Sequence, residues 1–139
     1  MNPNTASASA CLSLVVYAKD KTRVSAFYQR TLALALNESV ASHDLLLGPG
    51  LDLVVHAIPA EYAIDIAITK PPQLREDTPF KPVFTVTNLA AVRQAAQATG
   101  GGLQDASRAW PWRGCTRLDG HDPEGNVVQF AQPDAPRAP

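Results

Sequence analysis

The 139-residue chain has only two cysteines, Cys11 and Cys115, and no second Cys or His sits near either in a ligand pattern. That excludes the usual zinc spacings. Two thiols so far apart read as buried and free rather than bridged, and the expected compartment is the cytoplasm. Charge of one sign is also missing. Twelve Lys and Arg against 13 Asp and Glu leave a formal net charge of −1, without the basic footprint of a nucleic-acid binder or any block of like charge. No apolar run approaches the ~18 residues of a membrane span. Met1 to Ala10 has neither a basic nor an apolar region, so it is not expected to be a signal peptide and is expected to be mobile. There is no Gly-x-Ser-x-Gly, and Ser13 has no identifiable histidine partner. Gly100-Gly101-Gly102 follows a helical stretch instead of opening one, which makes it a helix stop and not a phosphate cradle.

What is present suits one domain, or two small modules sharing a core; the hydrophobic content of 45% is ordinary. Leu12 to Ala18 is rich in β-formers and reads as a buried strand. Asp20 can cap a helix in which Val24, Phe27, Tyr28, Thr31 and Leu32 line one face. His43 to Leu47 and Leu51 to Ile58 read as a hairpin turned by Gly48-Pro49-Gly50. The alternation Ala63-Ile64-Asp65-Ile66-Ala67-Ile68 predicts a further strand. Residues 70–80, with Pro71, Pro72 and Pro79, can continue neither helix nor central strand and form a linker. The order then restarts: a strand over 82–87, a helix capped by Asn88, and strands over 103–106, 115–118 and 126–130. The chain is a degenerate repeat, strand–helix–three strands, twice.

The most informative stretch is Asp119-Gly120-His121-Asp122-Pro123-Glu124-Gly125-Asn126-Val127-Val128-Gln129-Phe130, a tight turn feeding a strand. Together with Asp20-x6-Phe27-Tyr28 and Trp112-Arg113-Gly114, it resembles the vicinal oxygen chelate superfamily of glyoxalases, bleomycin-resistance proteins and extradiol dioxygenases. The resemblance covers about residues 12–131. It implies an α+β fold of two βαβββ modules curled around a cup, module one over 12–69 and module two over 81–131, with 1–11 and 132–139 as loose ends. Where the family often has Leu-Gly at the end of the first helix, this chain has Leu32-Ala33, so a differently built helix end is expected.

In metal-dependent members of that superfamily four side chains, mostly His and carboxylates, hold a divalent ion. Position by position, the resemblance puts Ser13, Asp52, Lys81 and Gln129 in their places. Only Asp52 is a ligand type suited to a hard cation, and a Lys ammonium has no lone pair and repels one. The resemblance therefore implies a metal-free site in which the Lys81 ammonium replaces the cation, near the Asp52 carboxylate and the Gln129 amide oxygen. The histidines leave an alternative. His43 and His56 lie on paired strands, and His56 shares a strand face with Asp52, although three scattered histidines are more often unrelated. His121 reads as a turn residue.

Trp110-Pro111-Trp112-Arg113 cannot bury both indoles in a small core. Trp110, Trp112 and Arg113 either rim a pocket for a flat or anionic ligand or form a subunit interface; Arg117, Tyr17 and Tyr28 are weaker pocket candidates. The expected function is a metal-free small-molecule-binding protein, working as a homodimer, with Ser13, Asp52, His56, Lys81, Trp110, Trp112, Arg113 and Gln129 around the ligand. No nucleic-acid or membrane partner and no cofactor are expected. The alternative is a divalent-metal-dependent lyase, isomerase or dioxygenase, and a third possibility is a domain that only makes protein contacts.

Overall fold

The computed structural model describes residues 12–136. The expectations for the N-terminal segment, Cys11 and the last three residues lie outside them. The fold is α+β, with two sheets of four and five strands. The first sheet is built from β1 (Leu12–Ala18), β2 (Ala35–Ser39), β3 (His43–Gly48) and β4 (Leu51–Ala57), in the order β1-β4-β3-β2. The second is built from β5 (Val83–Thr85), β6 (Gly102–Leu103), β7 (Trp110–Trp112), β8 (Cys115–His121) and β9 (Val127–Pro133). Its order is β5-β9-β8-β6, with β7 also paired to β8. In each module the first strand runs parallel to the last, which it can reach only through a helical crossover.

Helix α1 (Lys21–Leu32) is capped by Asp20, whose side chain accepts from the Arg23 N–H at 3.1 Å. It buries Val24, Phe27, Tyr28 and Thr31, as its periodicity requires. Contrary to the expectation of a differently built end, the helix closes in the usual way. Ala33 adopts the left-handed conformation (φ 53°, ψ 42°) that glycine normally fills. A short helix, α2 (Ala60–Ala63), follows β4. Helix α3 (Leu89–Ala98) is capped by the Asn88 side chain on the Ala91 N–H. The glycine run stops α3, with Gly100 at φ 91° and the Gly101 N–H bonded back to the Ala96 carbonyl.

The two helices pack on each other and each packs on its own sheet. One core results, holding Phe27, Tyr28, Leu46, Leu53 and Val55 from module one and Phe84, Val92, Val128 and Phe130 from module two. Because each sheet spends one face on this core, its other face points away from the helices. No helix among the described residues is long and apolar enough to cross a membrane.

The third strand of module one is not where its alternation pattern put it. Residues 63–68 form no strand; Ile64 is 79% exposed. The missing strand is β2, whose Ala-Leu-Asn-Glu-Ser sequence lacks β-branched residues and is exposed throughout, as an edge strand permits. In module two, β6 covers only two residues, and β7 was unforeseen because Pro111 sits in it, which an edge strand tolerates. The last strand continues through Pro133, and the Gln132 side chain accepts from the Leu89 N–H at 2.7 Å, so residues 132 and 133 are not part of the loose end expected there.

Candidate functional site

Register places every side chain of the outer faces. On module one, Ser13, Asp52 and Leu47 form one row, Val15, Val54 and Leu45 the next, and Tyr17, His56 and His43 the third. On module two, Val83, Gln129 and Asp119 share a row, as do Thr85, Ala131, Arg117 and Trp110, while Val127 pairs His121 and Trp112 pairs Cys115. Module one's face is largely apolar, with Val15 50% and Tyr17 64% exposed. Module two's face carries the charge.

There the polar side chains form one continuous chain. Lys81, just ahead of β5, donates from Nζ to Asp119 Oδ2 at 2.9 Å. Gln129 Nε2 donates to Asp119 Oδ1 at 3.1 Å. Arg117 Nη1 donates to Gln129 Oε1 at 3.1 Å, and its Nε donates to the Trp112 carbonyl at 3.2 Å. The Arg117 and Arg113 guanidiniums lie 4.8 and 4.5 Å from the centre of the Trp112 ring. Lys81 and Asp119 also line a cavity of about 560 Å³ with Leu74, Glu76, Leu103 and His121 among its walls, within the range of small-molecule sites. His121 is half-buried and its ring nitrogens have no hydrogen-bond partner among the described residues. Burial lowers its pKa against the opposing charge of Asp122, so its imidazole is neutral at neutral pH.

The expected partnership of Lys81 with Asp52 is corrected: its carboxylate is that of Asp119. Asp119 lies directly across from Gln129 on module two's own sheet, whereas Asp52 belongs to the other sheet, beside Ser13. Gln129 does join Lys81, through Asp119, but its amide oxygen faces Arg117. Trp110 and Trp112 are 37% and 54% exposed, so neither is lost to the core. His43 and His56, expected on paired strands, are direct cross-strand neighbours with stacked rings 6.3 Å apart. His43 Nε2 is 3.3 Å from Glu38 and His56 Nδ1 is 2.9 Å from the Ala57 carbonyl. Asp52, four residues from His56, is about 13 Å along the strand at its normal rise and shares no site with the pair.

This donor set does not fit a divalent metal. The four positions carry a hydroxyl, one carboxylate, an ammonium and an amide, and the ammonium is bonded to the nearest anionic oxygen of its sheet. Among the described residues no three His, Cys, Asp or Glu side chains are arranged to hold a metal ion. Ending the strand at Leu118 left Asp119 unread and made His121 a turn residue, which is corrected; carried on to His121, the strand's alternation puts Arg117, Asp119 and His121 on one face. Cys115 is a half-buried free thiol.

The D-P-x-G-N turn, by contrast, is buried. Asp122 accepts from the Tyr28 hydroxyl (2.8 Å), the Glu124 and Asn126 N–H groups (2.9 and 3.0 Å) and the Asn126 side-chain amide (2.8 Å). Glu124 accepts from the Lys19 and Asp20 N–H groups, both at 2.8 Å, where β1 passes into α1. Gly125, at φ 86°, has the Gln73 carbonyl 2.0 Å from where a Cβ would stand. These residues clasp module two to module one.

The sequence matches no protein-family model and no curated protein. Solved structures do resemble the fold. A glyoxalase/bleomycin resistance protein/dioxygenase family enzyme from Burkholderia phytofirmans PsJN superimposes with a TM-score of 0.62 at 19% identity, over 86% of this chain and 95% of that one. The genomically encoded fosfomycin resistance protein FosX from Listeria monocytogenes gives 0.63 at 13% identity, over 94% and 95%. A mutant of that protein, complexed with Mn(II) and 1S,2S-dihydroxypropylphosphonic acid, gives 0.61 at 15%, over 88% and 89%.

Proposed function

For a chain with the fold of the glyoxalase and bleomycin-resistance proteins of the vicinal oxygen chelate superfamily, we propose metal-free binding of a small molecule on the outer face of module two. The observation that carries this reading is the Lys81–Asp119–Gln129 network, which sets an ammonium beside two positions that the resemblance gives to metal ligands in the superfamily's metal-dependent members. A charged side chain of this kind can hold an anionic or strongly polar ligand group without a Lewis acid. Lys81, Gln129, Trp110, Trp112 and Arg113 contact the ligand in this reading, joined by Asp119, Arg117 and His121. Ser13, Asp52 and His56 lie on module one's outer face. They take part when a second copy of the chain sets that face against module two's. A homodimer is supported by large apolar side chains on both faces, with Tyr17 64%, Val83 47% and Trp112 54% exposed. A cytoplasmic home, suggested by the free thiol, belongs to the same reading.

The test is elemental analysis of purified protein after incubation with Mg, Mn, Fe, Ni and Zn salts and dialysis. The expected result is no retained metal. One tightly held equivalent overturns the reading and points to the divalent-metal-dependent enzyme, with the adjacent His43 and His56 as the first ligands to substitute.

A further inference from the structure

The turn between β7 and β8 is two residues long, Arg113-Gly114, and both have positive φ (49° and 70°). That is the backbone of the hairpin turn that Asn-Gly fills best. Arginine at its first position is strained, and a strained residue held by its surroundings points towards function. Its guanidinium stands over the Trp112 ring, and so does that of Arg117. Two like charges over one indole repel each other. Neither forms a salt bridge among the described residues, whose ion pairs are Lys21–Asp44, His43–Glu38 and Lys81–Asp119. Arg117 is fixed by Gln129 and the Trp112 carbonyl, while Arg113 donates to no group of the described residues. The cluster is thus a pair of uncompensated planar cations, one of them preorganised, with Trp110 across from Arg117 offering a second exposed indole.

We propose that Trp112, Arg113 and Arg117 select an aromatic carboxylate as the ligand of this face. The proposal rests on the metal-free binding reading and names its ligand class. A carboxylate accepts paired N–H bonds from a guanidinium fork and relieves the repulsion between the two arginines. A flat ring attached to it stacks on indole and guanidinium planes. Inorganic phosphate would meet the charges but leave both indoles bare.

The chain has two tryptophans, so its indole N–H groups give two NMR signals, which Trp110→Phe assigns. Titration with 2-naphthoate and with its neutral isostere 2-naphthamide tests the class directly. Naphthoate is expected to shift the Trp112 signal saturably, and the amide to bind about tenfold more weakly, the loss of one charge-assisted contact. Arg117→Gln and Arg113→Asn should each bring naphthoate down to the amide's affinity. Arg113→Asn also suits the turn better and should raise Tm, so its loss of binding cannot be blamed on unfolding. Equal affinity for the two compounds, or naphthoate binding untouched by Arg113→Asn, overturns the carboxylate class while leaving small-molecule binding in place. No shift with either compound overturns the platform. Metal retained by the same sample overturns the reading beneath it, whichever compound binds.

Discussion

One hairpin, β8–β9, holds two polar clusters of opposite kind. In its turn, Asp122 is fully buried and Glu124 is 3% exposed, and every carboxylate oxygen has a partner inside the protein. On its outer face, the side chains of Lys81 and Asp119 are 43% and 19% exposed, and Lys81, Arg113 and Arg117 keep donors free for something else. The closed cluster spends its hydrogen bonds on joining two modules. The open one holds its members in place and leaves capacity over. Within the most family-like stretch, Asp122 and Glu124 are therefore architecture, while Asp119 and Gln129 belong to the proposed binding face.

The largest expected effect breaks the closed cluster. Asp122→Ala strips partners from the buried Tyr28 hydroxyl and from two N–H groups, and should cost roughly 3–5 kcal/mol in urea unfolding. Asp119→Ala, on the same hairpin, should cost less, about 1–2 kcal/mol, because Lys81 turns to water and only the buried Gln129 amide loses an acceptor. Equal losses would erase the distinction. Glu124→Gln comes next. Its amide can accept from only one of the Lys19 and Asp20 N–H groups and presents a donor to the other, for a loss of about 2 kcal/mol.

A third cluster extends the comparison into pH. Asp44, 5% exposed, accepts from Lys21, Ser25 and Ser39, each at 2.6 Å. Burial works against its charge, but these hydrogen bonds and the Lys21 charge outweigh it and hold the carboxyl below its ordinary value. With the folded pKa depressed, Asp44's contribution is present above the unfolded value of about 3.9 and is lost as pH falls through the lower folded value. Thermal melts should show Tm falling more steeply below about pH 4 in the wild-type protein than in Asp44→Asn. Parallel curves would show that Asp44 is not linked to acid unfolding.

The features that depend on local rules were the legible ones. Asp20 and Asn88 cap where short polar residues should, α1 buries the face its spacing predicts, and Asp122-Pro123 turns the chain. The open features depend on which strands end up adjacent. Lys81 and Asp119 are 38 residues apart and meet only because β5 pairs with β9 and β9 with β8. Alternation also misled where pairing was the deciding factor. Residues 63–68 have the pattern of a strand but no neighbour to bond, while β2 has a poor pattern and a place at the sheet edge. Ala33 shows the opposite case: the departure from Leu-Gly was visible, but the structure kept the left-handed helix end and accepted the strain.

The smallest expected change in stability is at Lys81. Lys81→Gln removes a half-exposed ion pair, and such pairs contribute about 0–1 kcal/mol. Glutamine can still donate to Asp119, so a shift in unfolding free energy of about 0.5 kcal/mol or less is expected. The binding consequence should be out of proportion. If the ammonium is the built-in cation of the site, its loss leaves Asp119 the local charge, and a carboxylate ligand should bind more weakly while a neutral one is unaffected. Naphthoate and naphthamide titrations of Lys81→Gln, beside its urea curve, separate the two quantities. A large stability loss would move Lys81 into the closed class with Asp122. Unchanged naphthoate affinity would confine recognition to the arginine–tryptophan end of the face.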